Sequence, residues 1–466
     1  MNSGAVPVDK TTYTLVEFAS TVGFSDLSVE TMHATKRCIV DAVGCSLGAY
    51  CCEPINAIRA IASEITSVAP ATIIGTTIRT TPDLAALVNG AMVRILDFSD
   101  DYFGGIGDTG PHPSDNIGGI LATAESAGLG GKDLLLGIAI AYEVCGHLSD
   151  RVRWAAQGWD HPMCHSIATA LGAGKLLGLS KQQLGNALAL AVAPNICLNE
   201  TRRGHLSNWK AFAGPNGSRN GLFAAMLAAR DITGPDGVFE GSSGLMKQLN
   251  SSFELDDPLH ARNVPFKIEG TFFKSLPVRY SYQLPIWTAI KLRERVDMAQ
   301  IKSLRVYLEK RSVVSRETHP EYWEPESAET ADHSGPYLIG AALVDGAISK
   351  NTFTPERYRD PTILGIVQKI HMEGDPAYSA SFPRELNCRF EVELTSGEPI
   401  TLHEINPKGH PGNPMSDNGL EAKFFAQVEP VLGHARAQTL LDQIWNVEKM
   451  ENLGTLFPFM RVTALA

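Results

Sequence analysis

Between Thr31 and Ala228 apolar residues recur at the three-to-four-residue spacing of helices that bury one face. The pattern runs over Met32–Tyr50, Asp83–Phe98, Ile117–Ala127, Lys132–Leu148, Ser166–Leu177 and Lys181–Ala193. The breakers GLGGKD and GLSKQQ separate these stretches, and Ser180 has the chemistry and the place of an N-cap. Beyond the Gly-rich TGPDGVFEGSSG the period changes to two. IKSLRVYLEK and CRFEVELTSGEPITLHEI alternate as amphipathic strands do, with TSGE as a hairpin turn. Helical spacing returns at Gly419–Val431 and Ala435–Val447. The pattern predicts a mainly α chain: a large all-helical domain from residues 1–269 and 406–466, with a smaller α+β domain inserted at 270–405.

Composition narrows the class. Forty basic against 51 acidic residues give a net charge of -11, without the basic footprint of a nucleic-acid binder. The start has no basic segment leading into an apolar core, and no apolar run reaches the length of a membrane span, so the expectation is a cytoplasmic protein that meets no membrane. The eight cysteines include no CxxC pair and no spaced trio of cluster ligands, and they read as reduced thiols.

Four stretches concentrate polar residues in apolar surroundings, where an unpaired charge is costly. LDFSDDYFGGIGDTGPHPSDN holds Asp97, Asp100, Asp101, His112, Ser114, Asp115 and Asn116. Its structural reading is that Ser114 or Asp115 caps the next helix. A second reading takes the three aspartates as a Mg²⁺ cluster, although no second Asp-rich motif accompanies them. GWDHPMCHS places Asp160, His161, Cys164 and His165 at spacings that permit zinc, with no further ligands evident. ETRRGHLSNWKAFAGPNGSRNG sets Lys210 between Trp209 and small apolar residues, a frame that favours desolvation, while a solvated charge run is the plain alternative. FFKSLPVRYS carries Lys274 and Arg279, and AETADHSGPY carries His333 and Tyr337.

In this order, LDF followed by HPSDNIGGILATAE, then GWDHP, SNWKAFAGPNGSRNG, KSLPVRYSYQ and the ADHSxPY segment, the chain resembles the MmgE/PrpD family over nearly its whole length. The first block is similar to the dehydratase branch. The resemblance implies a homodimer whose subunits have a helical domain and an α+β lid, with the site in the cleft between them and neither metal nor organic cofactor. It places the site on Asp97, His112, His161, Lys210 and Tyr337. Asp101 stands where many relatives, cis-aconitate decarboxylases among them, have Thr, and Arg279 stands where some have Glu or His.

Dehydrating a hydroxy acid requires a base for the proton beside a carboxylate, an acid for the leaving hydroxyl, and cations for the polyanion. The expectation is that His112, oriented by Asp97, and Lys210 form the proton-transfer pair. His161, a further catalytic residue suited to orienting or transferring a proton, would with Tyr337 and Arg279 bind carboxylates or the departing hydroxyl, and Lys274 and Asp101 would also contact a small polycarboxylate substrate. Decarboxylation, epimerisation beside a carboxylate and a non-catalytic binding role are the competing expectations.

Overall fold

The computed structural model describes residues 9–104, 110–255 and 264–463. The first eight residues, and positions 105–109 before His112, lie outside them. The chain divides into two units: Met1–Glu200, Ala211–Thr271 and Ser416–Ala466 form the first, and Thr201–Lys210 with Phe272–Met415 form the second. The second unit thus takes in a ten-residue segment that the period change in the sequence does not mark, and it closes at Met415 rather than at 405.

The first unit contains the helices α1 Lys10–Thr21, α2 Val29–Gly48, α3 Glu53–Ser63, α4 Pro82–Arg94, α5 Ile117–Ser126, α6 Gly131–Arg151, α7 Pro162–Leu176 and α8 Lys181–Val192. It also holds most of α9 Trp209–Ala228, the one-turn α10 Leu245–Gln248, and the later α17 Asp417–Leu432, α18 His434–Trp445 and α19 Phe457–Met460. A two-residue hairpin, β1 Ala71–Thr72 with β2 Arg79–Thr80, lies between α3 and α4. α6 packs on α7, α4 on α5, and α2 on both α4 and α17. The α4–α5 approach needs glycine: a Cβ at Gly118 would stand 2.7 Å from the Ala86 carbonyl oxygen. Ser180 caps α8 as expected, accepting from the Gln183 N–H at 3.3 Å. Among the described residues no single helix is long and apolar enough to cross a membrane.

The second unit is built on a four-stranded sheet in the order β4-β3-β5-β6, from β3 Ile301–Leu308, β4 Ile370–Gly374, β5 Asn387–Leu394 and β6 Pro399–Ile405. β5 and β6 form the predicted hairpin, with Gly397 at φ 85° in its turn. β4 runs parallel to β3, Leu304 opposite Ile370, and at five residues is too short for its alternation to stand out in the sequence. α11 Gln283–Arg293 packs on β5, β6 and α13 Gly335–Asp345, and α13 on α15 Pro361–Val367. The one-turn α12 Ala328–Ala331, α14 Pro355–Tyr358 and α16 Pro376–Ser381 complete this unit. The protein is mainly α with a small mixed sheet.

Candidate active site

The polar stretch after α4 begins with an unusual turn. The helix stops at Arg94, short of the predicted Phe98, because Asp97 adopts φ 46° and its N–H returns to the Arg94 carbonyl at 3.0 Å. The Asp97 carboxylate then closes on the Arg94 guanidinium, both side chains buried. Burial alone would lower the Arg94 pKa, but the charges of Asp97, Asp115 and Asp101 outweigh it and hold the guanidinium above its ordinary value.

Asp100 accepts the Ser114 N–H at 3.1 Å and the Tyr142 hydroxyl at 2.7 Å. Burial pushes its carboxyl up to about 6, against the pull of those two donors and with the Asp41 charge adding to the rise. Asp41 is itself paired at 2.5 Å with Lys423 of α17, whose ammonium also donates to the Phe98 carbonyl at 2.7 Å. The tail of the chain therefore anchors the loop that carries these aspartates.

His112 Nδ1 lies 2.6 Å from the Asp100 carbonyl oxygen. A carbonyl only accepts, so Nδ1 carries the hydrogen and Nε2 is the nitrogen that can take or give a proton. Nε2 faces Asp101 Oδ2 at 3.9 Å, while Asp101 Oδ1 accepts the Tyr102 N–H at 2.9 Å. His161, at the start of α7, is held in the same way. Asp160 Oδ1 accepts its backbone N–H at 2.9 Å and lies 3.0 Å from its Nδ1, which again leaves Nε2 as the working nitrogen. The rings of His112 and His161 have centroids 5.9 Å apart, and those of His161 and His165 5.5 Å. His165 Nε2 faces Asp115 Oδ2 at 3.5 Å. Asp115 is fully buried against α9, where a Cβ at Gly214 would come within 1.9 Å of its Oδ2.

In the second unit Lys210 is fully buried, and its ammonium donates to both carboxylate oxygens of Asp332 at 3.1 and 2.9 Å. The same carboxylate accepts from Nδ1 of His333. Arg202 donates to the Lys210 carbonyl at 2.9 Å, and the Arg279 N–H to the Asp332 carbonyl at 3.1 Å, so the KSLPVRYS and ADHSGPY segments meet at Asp332. Gln283 fixes the first of these segments. Its side chain accepts the Ser275 and Leu276 N–H groups and donates to the Leu276 carbonyl, which sets the backbone on which Lys274 and Arg279 stand. Lys274 is fully buried and Arg279 half-buried.

Several expectations change. The three aspartates do not share a helix face, since α4 has already ended, and Asp97 is committed to a guanidinium. Ser114 and Asp115 sit inside a 3-10 turn, Pro113–Asn116, rather than capping α5, whose N-cap Asn116 makes no side-chain cap bond. The Asp100 carbonyl is a contact that orients His112. Tyr337 is fully buried and gives its hydroxyl to the Thr352 carbonyl at 2.5 Å, the placement of a core tyrosine, with burial raising its pKa.

With this geometry in place the comparisons are decisive about kinship. The MmgE/PrpD N-terminal domain matches residues 13–257 and the MmgE/PrpD C-terminal domain residues 277–448. The chain belongs to the MmgE/PrpD family. It is 25% identical to a cis-aconitate decarboxylase of Homo sapiens, over 93% of this chain and 91% of that one. It is 26% identical to a mitochondrial 2-methylcitrate dehydratase of Yarrowia lipolytica, covering 81% and 76%, and 26% identical to a 2-methylcitrate dehydratase of Salmonella typhimurium, covering 80% of each. In this MmgE/PrpD chain sequence reasoning passed over Arg94, hidden in an apolar helical pattern, and gave Asp332 no role. A charged residue at a fully apolar helical phase was the available signal for Arg94.

Proposed function

We propose that the protein is a cofactor-independent lyase that dehydrates 2-methylcitrate or a similar hydroxy acid, working in the cytoplasm as a homodimer. The observation that carries this reading is the pair of buried histidines, His112 and His161, each with Nδ1 tied to an acceptor and Nε2 left for proton transfer. Dehydration breaks a C–H bond beside a carboxylate, forms the C=C bond and expels hydroxide, which leaves as water once protonated. It needs one nitrogen to take a proton and one group to deliver a proton. Two imidazoles with centroids 5.9 Å apart suit that exchange.

Lys210 takes a different part from the one its sequence frame suggests. As half of a buried ion pair with Asp332 it would have to break that pair to shed a proton. Its role in this reading, with Lys274 and Arg279, is to supply positive charge for a polycarboxylate. The runner-up activity is decarboxylation, favoured by the longer span matched by the human cis-aconitate decarboxylase. Incubation with 2-methylcitrate, citrate, cis-aconitate and related hydroxy acids under NMR observation tests the choice. Dehydration gives a rise in ultraviolet absorbance without CO₂, decarboxylation releases CO₂, and turnover of none of these acids refutes the proposal. Light scattering tests the dimer.

A further inference from the structure

One histidine of the cluster does not follow the pattern of the other two. Asn116 places its amide nitrogen 2.9 Å from the Pro113 carbonyl, and its amide oxygen accepts the Thr169 hydroxyl at 2.8 Å. A carbonyl cannot donate, so the amide cannot be turned the other way. The same NH₂ group lies 3.2 Å from His165 Nδ1 and therefore donates to it. The Cys145 sulfur lies 3.8 Å from the same nitrogen, and burial first, then the neighbouring Cys164, pushes that thiol up, so it keeps a hydrogen that a lone pair on Nδ1 can accept. The Asn116 donor aimed at Nδ1 requires a lone pair there, and the hydrogen of the neutral ring is then on Nε2, facing Asp115.

This matters because Asp115, His161 and His165 each bring one ligating atom within 4.8 Å of the others, the reach of a metal site with two histidines and a carboxylate. A metal-bound histidine offers a lone pair and donates its other N–H outward to an acceptor. At His165 both halves of that arrangement are reversed. We propose that Asn116 is a positioning residue that locks His165 in the Nε2–H tautomer, so that His165 serves Asp115 as a donor and the trio is kept from divalent metal ions. The lock rests on the proposed function only in leaving His161 to move protons.

The test needs no substrate, so it stands or falls apart from the lyase reading. In the full-length protein labelled with ¹⁵N-histidine, the His165 signals, assigned by their loss in His165→Gln, are expected to show Nδ1 bare and Nε2 protonated. Asn116→Ala is expected to mix the two tautomers and to tighten Co²⁺ binding about tenfold, the effect of removing one hydrogen bond. A wild-type His165 protonated on Nδ1 would overturn the proposal, and that measurement decides it even if the variant fails to fold. So would an unchanged tautomer in Asn116→Ala, or wild type binding Co²⁺ as tightly as the variant.

Discussion

The two units handle buried charge in opposite ways. In the first, carboxylates outnumber cations around three histidines: Asp101 faces His112, Asp160 is the residue next to His161, and Asp115, from a distant part of the chain, faces His165. The cations there, Arg94 and Lys423, are used up on Asp97 and Asp41. In the second unit the buried lysines Lys210 and Lys274 stand with Arg279, and the residue that draws Lys210 in is an aspartate 122 positions away. A region of fixed-tautomer histidines is suited to moving protons, and a region of buried cations to holding an anion. Variants of the histidines are therefore expected to act on kcat and variants of the buried cations on KM.

The largest effect is expected at His112. His112→Ala removes the nitrogen whose tautomer the Asp100 carbonyl sets, and kcat is expected to fall about 10² to 10⁴-fold with folding intact by circular dichroism. A variant within about threefold of wild type would remove His112 from the mechanism.

Asp100→Asn probes the acidic surroundings without touching the carbonyl that holds His112. The folded Asp100 carboxyl is raised from 3.8 to about 6. The folded state therefore binds this proton more tightly than the unfolded chain, and the group's contribution to stability is lost as pH rises through that window and is flat above it. The shift corresponds to about 3 kcal/mol over the whole window. The difference in Tm between variant and wild type is expected to move in the variant's favour from pH 5 to pH 7. A difference independent of pH would remove the burial penalty from the account.

These two residues also mark what was legible. The helices showed because burial of one face imposes a period, and His112 and His161 showed because titratable side chains stood out in apolar stretches. The tautomers did not, since a backbone carbonyl such as that of Asp100 partners His112 without leaving a side-chain signature. The end of α4 was hidden by the apolar Ile95 and Leu96, and only the turn at Asp97 stops the helix there. Lys210 stood out by its neighbours, but Asp332, which decides what that lysine can do, is a tertiary contact.

Lys210→Arg separates charge from proton transfer in the second unit. Arginine keeps the charge and a pairing with Asp332 but does not lose its proton at working pH. If the unit supplies charge, KM is expected to rise about tenfold through altered geometry while kcat stays within about threefold. A fall of about 10² in kcat with KM unchanged would return Lys210 to the proton-transfer pair.

The smallest effect is expected from chelation, and it bears on the first unit alone. Asp115, His161 and His165 are close enough to hold an ion, so proximity does not settle what they do. Metal ligation would need His165 Nε2 bare, whereas the Asn116 amide, fixed by the Pro113 carbonyl, places the hydrogen there. His161 keeps a lone pair on Nε2, but one histidine and one carboxylate fall short of the three protein ligands usual in a catalytic zinc site. Exhaustive EDTA treatment followed by gel filtration is therefore expected to change kcat/KM by less than about twofold. If activity vanished and Zn²⁺ restored it, the histidines would be ligands, their nitrogens would no longer be available for proton transfer, and the contrast between a proton-moving unit and a charge-supplying one would have to be redrawn around the ion.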